Sequence, residues 1–308
     1  MSKFNTRLYL VTATALTGIF ASSPAFADCL PNASGTTVTC TTADPDGFNG
    51  SAINGLTINV DSGADVNGVL TTGTGSAVNV EGGVSVSGTA ISVGAGSTVN
   101  NASTALGTAN LGGVTGDIVF AATTGTQVNT LNNYNTAVAL STAGITGNIT
   151  STGTFVLNNT GTITGNTSST GPTTVTNSGT ITGNLASTGN TTVTNSGTFT
   201  GNMTLGAGND TITNTGTLTG NVDMGAGTNV FNVTGAANLP TGTLTASATN
   251  PALNTLNLGA GGGTFGLAVS NFGVVNSGGN WTLASTLDGN AGKLTNVNVT
   301  TGTLSTNS

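Results

Sequence analysis

Between residues 145 and 233 the chain repeats itself, and that repetition limits the folds open to it more than any other feature. In register it reads NNTGTITGNTSSTGPTTV, TNSGTITGNLASTGNTTV, TNSGTFTGNMTLGAGNDTI and TNTGTLTGNVDMGAGTNVF. A Gly-Asn pair marks each copy, at Gly165-Asn166, Gly183-Asn184, Gly201-Asn202 and Gly220-Asn221, and Gly147-Asn148 precedes them at the same step. The interval between pairs is almost constant, at roughly 18–19 residues. A constant step of this size, filled with Thr-aliphatic-Thr triplets, is the signature of a stacked solenoid in which each copy forms one coil. The expected fold is all-β: a parallel β-helix of about 18–20 residues per coil. The six-residue spacing of Val175 and Ile181 hints at a left-handed triangular coil, but the third side breaks that rhythm, so the right-handed form is favoured. At about 4.8 Å per coil the rod would be about 70 Å long.

Within one coil Val175, Ile181 and Leu185 are the expected inward side chains, repeated as Val193, Phe199 and Met203 and again as Ile212, Leu218 and Val222. Alternation in a strand then sends the threonines of Thr174-Val175-Thr176 and Thr180-Ile181-Thr182 to water. Gly179, Gly183 and Gly189 fall at corners, where the backbone needs positive φ or close approach. Asn177, Asn195 and Asn214 hold one equivalent position in successive coils and are expected to stack as an amide ladder along the axis.

The N-terminus reads as an export signal over residues 1–27. Lys3 and Arg7 precede a short apolar run from Leu8 to Phe20, and Ala25-Phe26-Ala27 offers a small-x-small cleavage site before Asp28. The apolar run is too short to span a bilayer as a helix. Asp28 stands where a lipid-attachment site carries a small neutral residue, which argues against a lipid anchor on Cys29. Cys29 and Cys40 are the only cysteines, and in an exported chain such a pair is expected to form a disulfide that pins an N-terminal cap at residues 28–50.

Cleavage between Ala27 and Asp28 leaves Lys293 as the one basic residue against ten acidic ones, a formal net charge of −9. A chain with one cation cannot neutralise phosphates, which argues against nucleic acid and anionic lipid as partners. Low charge with abundant Gly, Ser, Thr and Asn would ordinarily favour disorder, but a disordered chain has no reason to hold aliphatic residues in register.

Residues 51–144 read as an irregular solenoid. Alternating pieces at 56–60, 77–80, 84–86 and 90–93 are separated by turns at 61–63, 81–83 and 94–96, and 101–144 holds further aliphatic pieces at 117–120 and 137–140. Residues 145–233 are the regular coils, and 234–308 a looser C-terminal solenoid with Phe265, Phe272 and Trp281 as large core fillers and a last strand at Thr300–Leu304.

The signal, the cysteine-bearing cap, the TNSGTITGN coils and the NFGVVNSGGNWTLAST and GKLTNVNVTTGTL segments resemble the passenger part of a bacterial autotransporter (type V secretion). That resemblance is one of repeat texture and covers the whole chain. It implies export by the cell's secretion machinery and display at the cell surface by a C-terminal β-barrel. No series of roughly ten-residue amphipathic strands occurs up to Ser308, so the expectation is a passenger without its barrel.

Chemistry is poorly served by these residues. There is no histidine in the chain, and no arginine after residue 27. Plentiful serine therefore has no imidazole to activate it, and the acids rarely approach one another in the repeat register. Asp61 and Asp65 are close in sequence but belong to a Gly turn. No enzyme activity, cofactor or metal is expected. Gly206–Ile212 and Gly225–Phe231 look like calcium-binding nonapeptides. Yet they are separated by a whole coil instead of following one another, and the second has Asn229 for the acid, so a structural corner is the better reading. Thr174/Thr176, Thr192/Thr194 and Thr211/Thr213 would stack as flat ranks like those of ice-binding solenoids, although threonine is also simply a good exposed strand residue. The expected function is structural: an exported or surface-displayed solenoid for adhesion or cell aggregation, with a passive spacer as the alternative, an ice-binding solenoid or a glycan-active β-helix enzyme less favoured, and partners at the cell surface or among its own copies.

Overall fold

The computed structural model describes residues 29–81, 83–101, 113–134, 144–247, 253–284, 287–288 and 296–306. The expected signal segment, the expected cleavage site between Ala27 and Asp28 and the aliphatic piece at 137–140 lie outside these residues. Short parallel strands stacked as a β-solenoid make up the fold, with a 3-10 turn at Ala236–Asn238.

In the regular region each coil has three strands. Thr173–Asn177, Thr180–Thr182 and Leu185–Ser187 form one coil, and each pairs in parallel, without slippage, with its counterpart in the next: Val175 with Val193, Ile181 with Phe199, Leu185 with Met203. The expected inward residues are all buried. One ladder runs the full length of the described chain. It carries thirteen strands from Thr37–Cys40 to Asn296–Val299, stacked through the column that begins Val38, Ile58, Val78 and ends Val275, Val297. Twelve intervals of about 4.8 Å give a rod of about 58 Å, shorter than a constant 18–20-residue coil implies. The difference is in the long coils: Asn132 sits 32 residues after its stacking partner Asn100, and Asn158 26 after Asn132.

The N-terminal third differs from its sequence reading. It keeps a steady step, with Asn79 20 residues after Asn59 and Asn100 21 after Asn79. Treating Glu81 and Gly94 as successive turns pairs two different corners. Glu81 leaves the long ladder, its N–H bonded to Val60 O, while Gly94 precedes the ladder's next strand and bonds Thr72 O. Between them the two expected strands merge into one, Gly83–Val93. At the other end the expected strand over Thr300–Leu304 keeps only Leu304 as strand: residues 300–303 connect Asn296–Val299 to Leu304–Thr306, with Gly302 at φ +78°.

Corners are set by glycine where backbones nearly touch. Gly183 has φ +150°, and a Cβ there would overlap the carbonyl oxygen of Gly165 in the preceding coil. Gly179 has no positive φ; its requirement is close approach alone, to the carbonyl of Gly161. Asn184 completes the corner differently: its Oδ1 accepts the N–H of Asn202, as Asn166 accepts from Asn184 and Asn202 from Asn221.

The cap is a short hairpin, Leu30–Pro31 antiparallel to Thr37–Cys40, fastened by the Cys29–Cys40 disulfide. Beneath it lies Asp44, fully buried, whose carboxylate accepts N–H bonds from Cys29, Asp46 and Gly47 at 2.9–3.0 Å. In the C-terminal coils Trp281 and Phe265 meet edge to face at 6.5 Å, and the indole N–H finds Gly259 O at 2.9 Å. Among the described residues no helix is long and apolar enough to cross a membrane.

Candidate functional site

A two-residue-wide face follows from the long ladder. Each of its strands presents two outward side chains, and stacking turns these into two columns. One column runs Thr37, Thr57, Ala77, Thr98, Thr130, Val156, Thr174, Thr192, Thr211, Val230, Thr255, Val274 and Asn296. The other runs Thr39, Asn59, Asn79, Asn100, Asn132, Asn158, Thr176, Thr194, Thr213, Asn232, Asn257, Asn276 and Asn298. Neither contains a charged side chain. The acids fall elsewhere: Asp65, Asp117 and Asp223 lie in strands of the other sheet, and Asp61 and Glu81 stand at the corner where the chain leaves the ladder. Glu81 is raised above its ordinary value by partial burial and then by the nearby Asp61 charge.

The asparagines of this face form a ladder that the sequence reading missed. Asn79, Asn100, Asn132 and Asn158 each donate Nδ2–H to Oδ1 of the asparagine one coil earlier at 2.8 Å, and Asn257, Asn276 and Asn298 do the same further on at 2.6–2.8 Å. The gap between is filled by Thr176, Thr194 and Thr213. A visible signal existed: TINV, AVNV and TVNN recur with Asn in third place at 20- and 21-residue steps. Each amide has a second N–H and each oxygen a second lone pair, so the half-buried column still offers donors and acceptors outward. The expected threonine ranks are stacked in register, with Thr174, Thr176, Thr192 and Thr194 exposed and Thr211 and Thr213 half-buried.

The expected ladder of Asn177, Asn195 and Asn214 is inside the rod. It extends back through Asn159 and Asn133 to Asn101, every member buried, with Nδ2···Oδ1 distances of 2.6–2.8 Å. These donors point to the following coil, opposite to those of the outer ladder. Val80 and Val233 hold the next positions at the two ends, so the column reverts to aliphatic packing where the amides stop. Asn214 turns its Nδ2 to the carbonyls of Asn238 and Gly216.

The two nonapeptide-like segments stack as equivalent corners. Ala207 bridges Ala226, Ala226 N–H bonds Gly206 O, and Asp210 N–H bonds Asn229 Oδ1 at 3.0 Å. Among the described residues, Cys29, Cys40 and Asp44 are the one group of three potential metal-ligating side chains within reach of each other, and both sulfurs are already joined in the disulfide. Asp44 and Asp210 are the buried carboxylates among the described residues, and neither stands out in sequence from exposed turn acids such as Asp46.

Comparison of the chain with family models, with curated proteins and with solved structures finds no match in any of the three.

Proposed function

We propose that this chain is a non-enzymatic, exported solenoid of the autotransporter-passenger kind, and that it associates with further copies of itself through the outward face of its long ladder. The observation that supports this reading is the unbroken neutrality of that face in a molecule whose formal charge after signal removal is −9. Two such rods repel over most of their surface, but not across thirteen strands of Thr, Asn, Ala and Val. Each pair of facing amides or hydroxyls contributes little, because both partners give up water to meet. Repetition at a fixed spacing converts many weak contacts into avidity without a pocket. A rigid rod suits the task, since the face is ordered before contact and little further ordering is lost on binding.

The repeat makes a clean test possible. Residues 173–190 are one coil, and Thr191 takes the place of Thr173 when they are removed, because the two already pair in register. Cells or beads displaying the full chain should settle together, more slowly with the coil deleted and faster with it duplicated. A passive spacer predicts settling that does not depend on coil number.

A further inference from the structure

Asp210 occupies a corner position that the neighbouring coils give to hydroxyls and amides, with Phe155 the apolar member of the same stretch. Along the ladder strands from Asn129–Asn133 to the one that begins at Thr255, the residue just before, or at the start of, the strand forms an inward corner column: Asn129, then Phe155, Thr173, Thr191, Asp210, Asn229 and Asn254. Each of the three asparagines ties two segments together. Their Oδ1 atoms accept the N–H of Gly96, Asp210 and Asn229 in the preceding coil at 2.9–3.1 Å. Their Nδ2 groups donate to the loop carbonyls of Ala121, Gly225 and Asn271 at 2.9–3.2 Å.

Asp210 reproduces the first half of this pattern and lacks the second. Its Oδ1 accepts Thr191 N–H at 2.7 Å, while Oδ2 is buried without a partner. A carboxylate has no proton to donate where the amides donate, whereas a neutral carboxylic acid matches an amide in shape and carries one donor. Among the described residues no cation offsets the charge. In the elements packed around it, the strands at 191–195, 203–205, 211–214, 222–223 and 230–235 and the loops at 188–190, 206–209 and 224–229, the other ionisable group is the exposed Asp223, itself an acid. An unpaired buried charge is costly.

We propose that Asp210 is a proton-controlled joint in the rod: as the neutral acid it completes the amide column between the coils of Thr191 and Asn229 and tightens them, and on ionisation it loosens them. Burial, the largest influence, opposed by the Thr191 hydrogen bonds, pushes the group from 3.8 up to about 6. A folded value above the unfolded one means that the folded state holds more protons in this window. The added stability is full below about 3.8 and is lost as the pH rises through about 6. In a solenoid, such a change is felt mainly by neighbouring coils.

Hydrogen exchange of the full chain, read by mass spectrometry on peptides covering 188–231, tests this for wild type, Asp210→Asn and Asp223→Asn. After correction for intrinsic exchange, wild type and Asp223→Asn should open about 25-fold more at pH 7.5 than at pH 4.5. Asp210→Asn should stay flat, as protected at pH 7.5 as wild type at pH 4.5. Glu81 lies in a distant coil and does not enter these peptides. Wild-type protection that ignores pH, or a pH response that survives Asp210→Asn, would overturn the proposal. If Asp210→Asn does not fold, isotope-edited infrared titration of wild-type aspartates decides: a buried carboxyl titrating near pH 6 is expected, and none titrating above the ordinary range contradicts it.

Discussion

Asn177 donates its side-chain N–H to the Oδ1 of Asn195 at 2.7 Å, one coil further along the rod and wholly inside it. The contact repeats at the coil step of 18 or 19 residues, so this side-chain column reports the same stacking as the backbone. Buried polar ladders of this kind are worth little per bond when complete and cost much more when broken, since the partner left behind stays dry.

The ladder therefore predicts an asymmetry. Each substitution withdraws an acceptor from the asparagine one coil earlier, but Asn177→Val also leaves the buried Asn195 Oδ1 without its donor, whereas Asn214→Val strands no side-chain oxygen, because Asn214 donates to the backbone carbonyls of Asn238 and Gly216. Asn177→Val should destabilise by about 2–3 kcal/mol and Asn214→Val by about 1 kcal/mol. Equilibrium denaturation of the two variants measures the difference.

Gly183 and Gly55 separate two costs that positive φ usually combines. At Gly183 a side chain meets both φ +150° and the carbonyl of Gly165; at Gly55, φ +67°, there is nothing within 4 Å of the added atom. Gly55→Ala should cost about 1 kcal/mol from backbone strain alone. Gly183→Ala forces adjacent coils apart and should cost about 3 kcal/mol or more. Thermal unfolding of both variants checks the ranking.

The cap should be sensitive to reductant and acid. The Cys29–Cys40 loop of 11 residues is worth about 2–3 kcal/mol by chain-entropy arguments, so dithiothreitol should lower the unfolding temperature and expose the first coil to protease. Burial works to raise the Asp44 carboxyl, but N–H bonds from Gly47, Asp46 and Cys29 hold it below its usual 3.8. The stability it contributes is present above that value and lost as the pH falls through the depressed one, opposite in sign to Asp210. Asp44→Ala should abolish the acid sensitivity of the cap while leaving the response of coils 188–231 intact, as hydrogen exchange across the pH range would show.

Residues that recur at the coil step with the same chemistry show their place in the sequence itself. Val175, Ile181 and Leu185 could be read as inward because their counterparts one coil on carry the same chemistry at the same spacing. Asn59, Asn79 and Asn100 carry an equally steady step but were masked by the short interval between Glu81 and Gly94, which belong to different corners. The Cys29–Cys40 bond was readable from the expected export and from the count of two cysteines. Asp44 and Asp210 were not, since burial of a lone acid depends on which corner lies above it, and a short-range pattern carries no such information. The same holds for the neutral face: each Thr-x-Thr or Thr-x-Asn segment is ordinary, and only parallel in-register stacking shows that no acid interrupts the columns.

Sedimentation velocity over a concentration series tests self-association through that face. The comparison is between Thr174→Glu with Thr192→Glu, stacked on the long ladder, and Thr182→Glu with Thr200→Glu, stacked and exposed on the other sheet. Both pairs add the same charge to the same coils. Wild type and the Thr182/Thr200 variant should gain mass with concentration alike, while the Thr174/Thr192 variant should stay monomeric. A wild-type chain that is monomeric throughout, or two variants weakened equally, would contradict it.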